Sequence, residues 1–188
     1  MTVATGEHVE LEPTWYWLHA AIDSAKASVT KQAGRGLVID LHGHAHKINR
    51  IEVGYLLGRG ALRRINDDSA ATATPFASSI SSIARTSASG DSYAAMHNGP
   101  NSLGGMLAAV GLRAVPSPDE PAPKDGEEYW TGAYNTERHG SSRGGVIDAA
   151  QLELPVIAIG DKPQDVQRVA GKIAVELVRF LEPQYGWN

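Results

Sequence analysis

At 188 residues the chain has the length of one domain with a sizeable core, and a hydrophobic fraction of 42% excludes a globally disordered polymer. A net charge of −4 with a pI near 6.0 gives no broad basic face, so nucleic acid is not expected as a partner. The absence of cysteine excludes disulfides, thiolate zinc sites and a cysteine nucleophile. Any zinc or iron would have to be held by His, Asp, Glu and water.

The first residues, MTVATGEHVELEP, have neither a basic start nor a continuous apolar run, and do not read as a signal peptide. No stretch approaches the roughly 18 apolar residues needed to span a bilayer. The expectation is one cytoplasmic domain over residues 1–188, without membrane association and without internal repeats.

From Pro13 to Gly34 the spacing predicts a helix, with Trp15, Leu18, Ile22, Ala25 and Val29 on one stripe and glycines at its end. Leu37–Leu41 is short and rich in branched residues; it reads as a central, parallel strand covered on both faces. Ile48–Leu57 reads as a second strand with Gly54 inside it. Ser78–Arg85 suits a short helix packing Ile80 and Ile83, and residues 103–112 suit another, capped by Asn101 or Ser102 and ended at Gly111. Four prolines in 115–126 mark an extended loop. Residues 149–154 read as a strand with Gln151 and Glu153 on one face, and Pro163–Leu181 as an amphipathic helix with Val166, Val169, Ile173 and Leu177 inward. Alternating strands and helices predict a three-layer α/β/α domain with a mixed, mostly parallel sheet. Ligands then collect outside the carboxyl ends of the strands.

At one such end stands DLHGHAH, residues 40–46, with three of the chain's seven histidines. Extended backbone puts Asp40, His42, His44 and His46 on one face, and Gly43 and Ala45 admit a close approach. Two readings stand open: a metal site held by these residues, with Asp40 binding or orienting a ring, or a polar loop rich in imidazole. Tyr134, Asn135, Arg138, His139 and Arg143 in YNTERHGSSR supply donors suited to a substrate carboxylate, or else form a polar turn. Glu153, at a strand end, is a candidate general base, or else a solvated glutamate. NGPNSLGG lacks the lysine and spacing of a phosphate loop, no G-x-S-x-G elbow is present, and Arg63-Arg64 reads as surface.

Three ordered stretches, GLVIDLHGHAHKINRIEVGYLL, SLGGMLAAVGLRAVPSP and YWTGAYNTERHGSSRGGVIDAAQLELP, together resemble the N-formylglutamate amidohydrolase family across roughly residues 14–185. The resemblance implies a zinc carboxypeptidase-like fold and a zinc-activated water that attacks the amide of an N-acyl amino acid. It implies that His42 binds zinc, that Glu153 is the general acid/base, and that Tyr134, Asn135, Arg138 and His139 line the side facing a small carboxylate substrate. Family members also carry an earlier PHSG- or PHGG-like strand end and an acidic residue as zinc ligands. Before Trp15 this sequence has only His8, in GEHVE, so a fold lacking that segment is expected. Zinc would then need His42 with His44, His46 or His139 as a substitute ligand, and Asp40 is an optional further member. An uncovered sheet edge would favour a homo-oligomer. The alternative expectation is a relative without catalysis that serves as a binding or assembly subunit.

Overall fold

The computed structural model describes residues 11–66, 78–86, 90–160 and 162–186; His8 lies outside them. Helix α1, Glu12–Ala33, begins with Pro13 in its first turn and ends where Gly34, at φ 75°, donates its N–H to Thr30 O at 2.9 Å. Its inward stripe is Trp15, His19, Ile22, Lys26 and Val29, so the helix is rotated from the expected face and leaves Leu18 and Ala25 exposed. The rotation follows from His19, which is buried and hydrogen-bonded across the fold to His139.

The chain then forms β1 (Gly36–His44) and β2 (Ile51–Gly54). Short helices α2 (Arg59–Ile65), α3 (Ser81–Thr86), α4 (Tyr93–Asn98) and α5 (Leu103–Ala109) lead to β3 (Ala114–Val115). After the proline-rich loop come α6 (Tyr134–His139), β4 (Ile147–Pro155), α7 (Val156–Ile159) and α8 (Pro163–Tyr185). The sheet order is β1-β4-β2-β3. β1 runs parallel to β4 and β2 parallel to β3, whereas β2 and β4 are antiparallel. The result is the expected α/β architecture with a mixed, mostly parallel sheet.

One expectation is corrected. The strand at 37–41 is not central: β1 lies at the sheet edge, and Leu41 is 61% exposed. The strand covered on both faces is β4, where all but Leu154 are buried. LVIDL is the more apolar run, but the small Ala149 and Ala150 let layers close on both sides of β4.

On one face of the sheet, α5 and α8 bury Leu103, Leu107, Val169, Ile173 and Phe180 against Val53, Ala150 and Leu152. Ser102 caps α5, its hydroxyl accepting the Gly105 N–H at 3.0 Å. The stripe expected on α8 is present, except that Val166 is exposed. Asp148 caps α3 from below: its carboxylate accepts the N–H groups of Ser82 and Ile83 at 2.9 and 3.2 Å and the Tyr185 hydroxyl at 2.9 Å. Burial pushes this carboxyl above its ordinary range.

The opposite face is covered by α1, α6 and the segment 129–132. Gly54 is required there, because a Cβ would collide with the backbone of Thr131 and Gly132. Gly54→Ala is therefore expected to destabilise the fold by about 1–3 kcal/mol in urea unfolding. A second expectation comes from His97 on α4, which is fully buried with Nδ1 2.7 Å from Tyr93 O and Nε2 2.8 Å from the Ser78 hydroxyl. Burial pushes its pKa down from 6.5 to about 4. The unfolded chain takes up a proton that the folded chain refuses, so this contribution is complete above about pH 6.5 and is lost as pH falls towards 4. Unfolding measured from pH 7 to pH 4.5 should show a loss approaching 1.4 kcal/mol per pH unit from this residue, about that much less steep in His97→Gln.

Candidate metal centre

Strand register decides which side chains meet. Asp40 pairs with Gln151 and His42 with Glu153, while Glu153 also pairs with Glu52 on β2. Paired residues share a sheet face, so Asp40, His42, Gln151, Glu153 and Glu52 form one polar patch at the carboxyl ends of β1 and β4. Glu153 is its middle member.

Towards the sheet edge, His42 Nε2 lies 3.0 Å from Asp40 Oδ2, and its Nδ1 lies 3.9 Å from Glu153 Oε1. Gln151 donates from Nε2 to Glu153 Oε1 at 2.6 Å, which fixes the carboxylate. Gln151 Oε1 is buried with no hydrogen-bond partner among the described residues. An acceptor left unpaired in this way favours a donor brought by a ligand.

Towards the middle of the sheet, the turn between β1 and β2 brings His46 onto Glu52, with Nδ1 3.0 Å from Oε1. Glu52 Oε2 accepts the Trp130 N–H at 2.7 Å, and the His46 and Trp130 rings stack with centroids 5.8 Å apart. The His44 ring accepts the His46 N–H at Nδ1 (3.1 Å) and donates from Nε2 to Arg50 O (2.9 Å), which sets its tautomer. Ligand atoms of His44, His46 and Glu52 lie within 4.8 Å of one another, a spacing that can hold a metal ion. Their chemistry suits one. Glu52 is 0% exposed, and no lysine or arginine pairs with it among the described residues, so a cation would balance a buried carboxylate. Recruiting His44 would require one of its two backbone bonds to be given up.

A pocket of 270 Å³ opens beside His46, lined also by Lys47, Ile48, Gly126, Glu127 and Glu128. Arg50 holds two of these lining residues, Glu127 and the carbonyl of Glu128. The guanidinium is buried and bonds Glu120 at 2.9 Å and Glu127 at 2.8 Å. Those carboxyls are held below their ordinary range: Glu120 by Arg113 and Arg50 against the opposing effect of burial, Glu127 by the Lys124 N–H and Arg50.

The residues expected to bind substrate sit on or beside α6. Tyr134 is half-exposed and packs on Trp15 and His19. Asn135 is partly buried and Arg138 pairs with Asp23 at 2.8 Å. Arg143 is largely exposed and pairs with Glu137. His139 is buried, its Nε2 2.9 Å from His19 Nδ1 and its Nδ1 3.4 Å from Asp23 Oδ1. Burial, helped by the nearby Lys26 charge, pushes its pKa down to about 4; burial and Arg138 likewise lower that of His19. Both arginines are therefore engaged by carboxylates of this chain, and His139 faces α1.

Of the expected metal ligands, Asp40 and His42 make one group and His44 and His46 another, with Glu153 between them. Glu52 was not among the residues singled out from the sequence, although a carboxylate inside the apolar run Ile51-Glu52-Val53 marks an inward charge. Trp130, His19 and Asp23 carried no comparable signal.

These roles separate by mutation. In metal-free protein, His44→Ala should cost about 1–3 kcal/mol of stability, since two hydrogen bonds vanish, one of them fully buried. His46→Ala should cost less stability and more metal affinity, because its Nε2 has no partner among the described residues. Isothermal titration with Zn²⁺ alongside urea unfolding reads both quantities. No protein-family model, no curated protein and no solved structure matches this chain.

Proposed function

We propose that the chain is a zinc-dependent hydrolase that cleaves the amide of an N-acyl amino acid, as its resemblance to N-formylglutamate amidohydrolases implies. The observation that supports this most is the row His42, Glu153, Glu52: a carboxylate in position to act as general base stands between two histidine groups, at the end of a parallel strand pair.

Bound by His44, His46 and Glu52, Zn²⁺ would supply Lewis-acid polarisation of a scissile carbonyl and acidify a water. The chain's own residues do the rest. Glu153, held by Gln151, takes the proton from the attacking water and later returns it to the leaving amine. Gln151 Oε1 accepts a hydrogen bond from the substrate amide. Lys47 at the pocket beside His46 receives a substrate carboxylate, a role that Arg138 or Arg143 could fill only on leaving Asp23 or Glu137. No helix among the described residues is long and apolar enough to cross a membrane. A cytoplasmic location is part of the same proposal.

A second reading has its own support. Both nitrogens of His44 are spent on backbone groups, which suits a binding or assembly subunit without catalysis. Elemental analysis of untagged protein separates the two. The hydrolase is expected to retain about one zinc per chain. Loss of that zinc in His46→Ala but not in His42→Ala places it with Glu52, and the reverse places it with Asp40. No zinc after incubation with excess metal would sink the hydrolase reading.

Turnover gives the complementary test. Glu153→Gln should lower kcat on N-formylglutamate or another N-acyl amino acid by about 10²–10⁴-fold with zinc content unchanged. Full activity in that variant would exclude Glu153 as the base.

A further inference from the structure

β1 has one open edge among the described residues. Gly36 donates its N–H to Val146 O on the β4 side, so even-numbered residues of β1 turn their backbone groups inward. The N–H and C=O groups of Leu37, Ile39, Leu41 and Gly43 consequently point outward, and no described residue pairs with them. Beside this edge lies an apolar groove of 220 Å³ between β1 and α8, lined by Leu41, Leu154, Val166, Ala170, Ile173 and Ala174. Leu41 and Val166 are each at least 48% exposed there. A nine-residue edge with exposed apolar side chains is a template for another strand.

We propose that the occupant is β1 of a second copy, paired antiparallel about a two-fold axis at Leu41. Self-complementarity selects this occupant and this register. With the axis at Leu41, the outward groups of Leu41 meet those of Leu41 in the other copy, and Ile39 and Gly43 exchange bonds reciprocally. On the polar face Asp40 then stands opposite His42 of the other copy and His42 opposite Asp40, two carboxylate–imidazole pairs for one axis. Moving the axis to Asp40 would instead set two carboxylates against each other. On the apolar face the two Leu41 side chains meet and the two grooves become continuous. Such an isologous pairing joins the two sheets into one of eight strands and leaves β3 as the outer edge of each half.

The sequence supplies a clean probe, because it has no cysteine. Sedimentation of the full chain in metal-free buffer, across a dilution series, should show a species of twice the 20.0 kDa chain mass. Leu41→Cys should cross-link to itself under mild oxidation, whereas Val178→Cys, on an exposed face of α8, should not. Leu41→Lys, at a position exposed enough to leave folding intact by circular dichroism, should weaken dimerisation by at least about tenfold by placing like charges on the axis. A monomer at every concentration would overturn the proposal, including one whose Leu37, Ile39, Leu41 and Gly43 amides resist hydrogen exchange because another part of the chain covers them. A dimer that persists unchanged in Leu41→Lys, or in which Leu41→Cys fails to cross-link, would also overturn it. None of these readings depends on zinc or turnover, so they stand or fall apart from the proposed chemistry.

Discussion

Nine consecutive residue pairs join β1 to β4, and the candidate site takes its geometry from that register. A slip of one residue would carry Asp40, His42 and His44 to the α8 side and press Leu41 against the α6 side. Apolar burial holds the register in place: Ala150 and Leu152 of β4 lie under α5 and α8, so Gln151 and Glu153 are forced to the other face. Catalytic candidates and core residues are thus two readings of one alternation. β2 then joins antiparallel to β4 and adds Glu52 to the same row.

Burial of Glu52 ranks as the strongest electrostatic demand in this arrangement. A carboxylate removed from water needs either a proton or a countercharge, and the groups that reach it are an imidazole and one backbone N–H. Arg50, two residues earlier, meets the same demand with Glu120 and Glu127. The two neighbouring charges therefore point to opposite solutions: the arginine's charge is met by two carboxylates, whereas the glutamate meets an imidazole and a backbone N–H. That difference separates a structural ion pair from a place where a cation has something to do.

Much of this was legible in the sequence, for identifiable reasons. Long helices announced themselves by period and glycine stops, and the HxHxH run and the Gln151-x-Glu153 pair were visible as polar breaks at the ends of apolar segments. Position within the sheet was not legible, because LVIDL is the more apolar run and yet only AAQLEL is enclosed. The face of α1 was missed because periodicity counts apolar residues, and this helix turns His19 and Lys26 inward. Long-range partners such as Asp23 with Arg138, 115 positions apart, leave no local trace at all.

Arg50 has a mechanical consequence. Its carbonyl holds the ring of His44, and its guanidinium holds Glu127, whose own carboxylate also receives the Lys124 N–H. The histidine turn and the rim of the pocket are therefore pinned to one residue, like two doors hung on a single post. Neither can swing alone: an opening at Glu127 wide enough for a bulky ligand would tug on His44 as well. Entry to the pocket and the shape of the His44, His46 and Glu52 cluster are in this way geared to each other, and small ligands, which need no such opening, leave the gearing at rest.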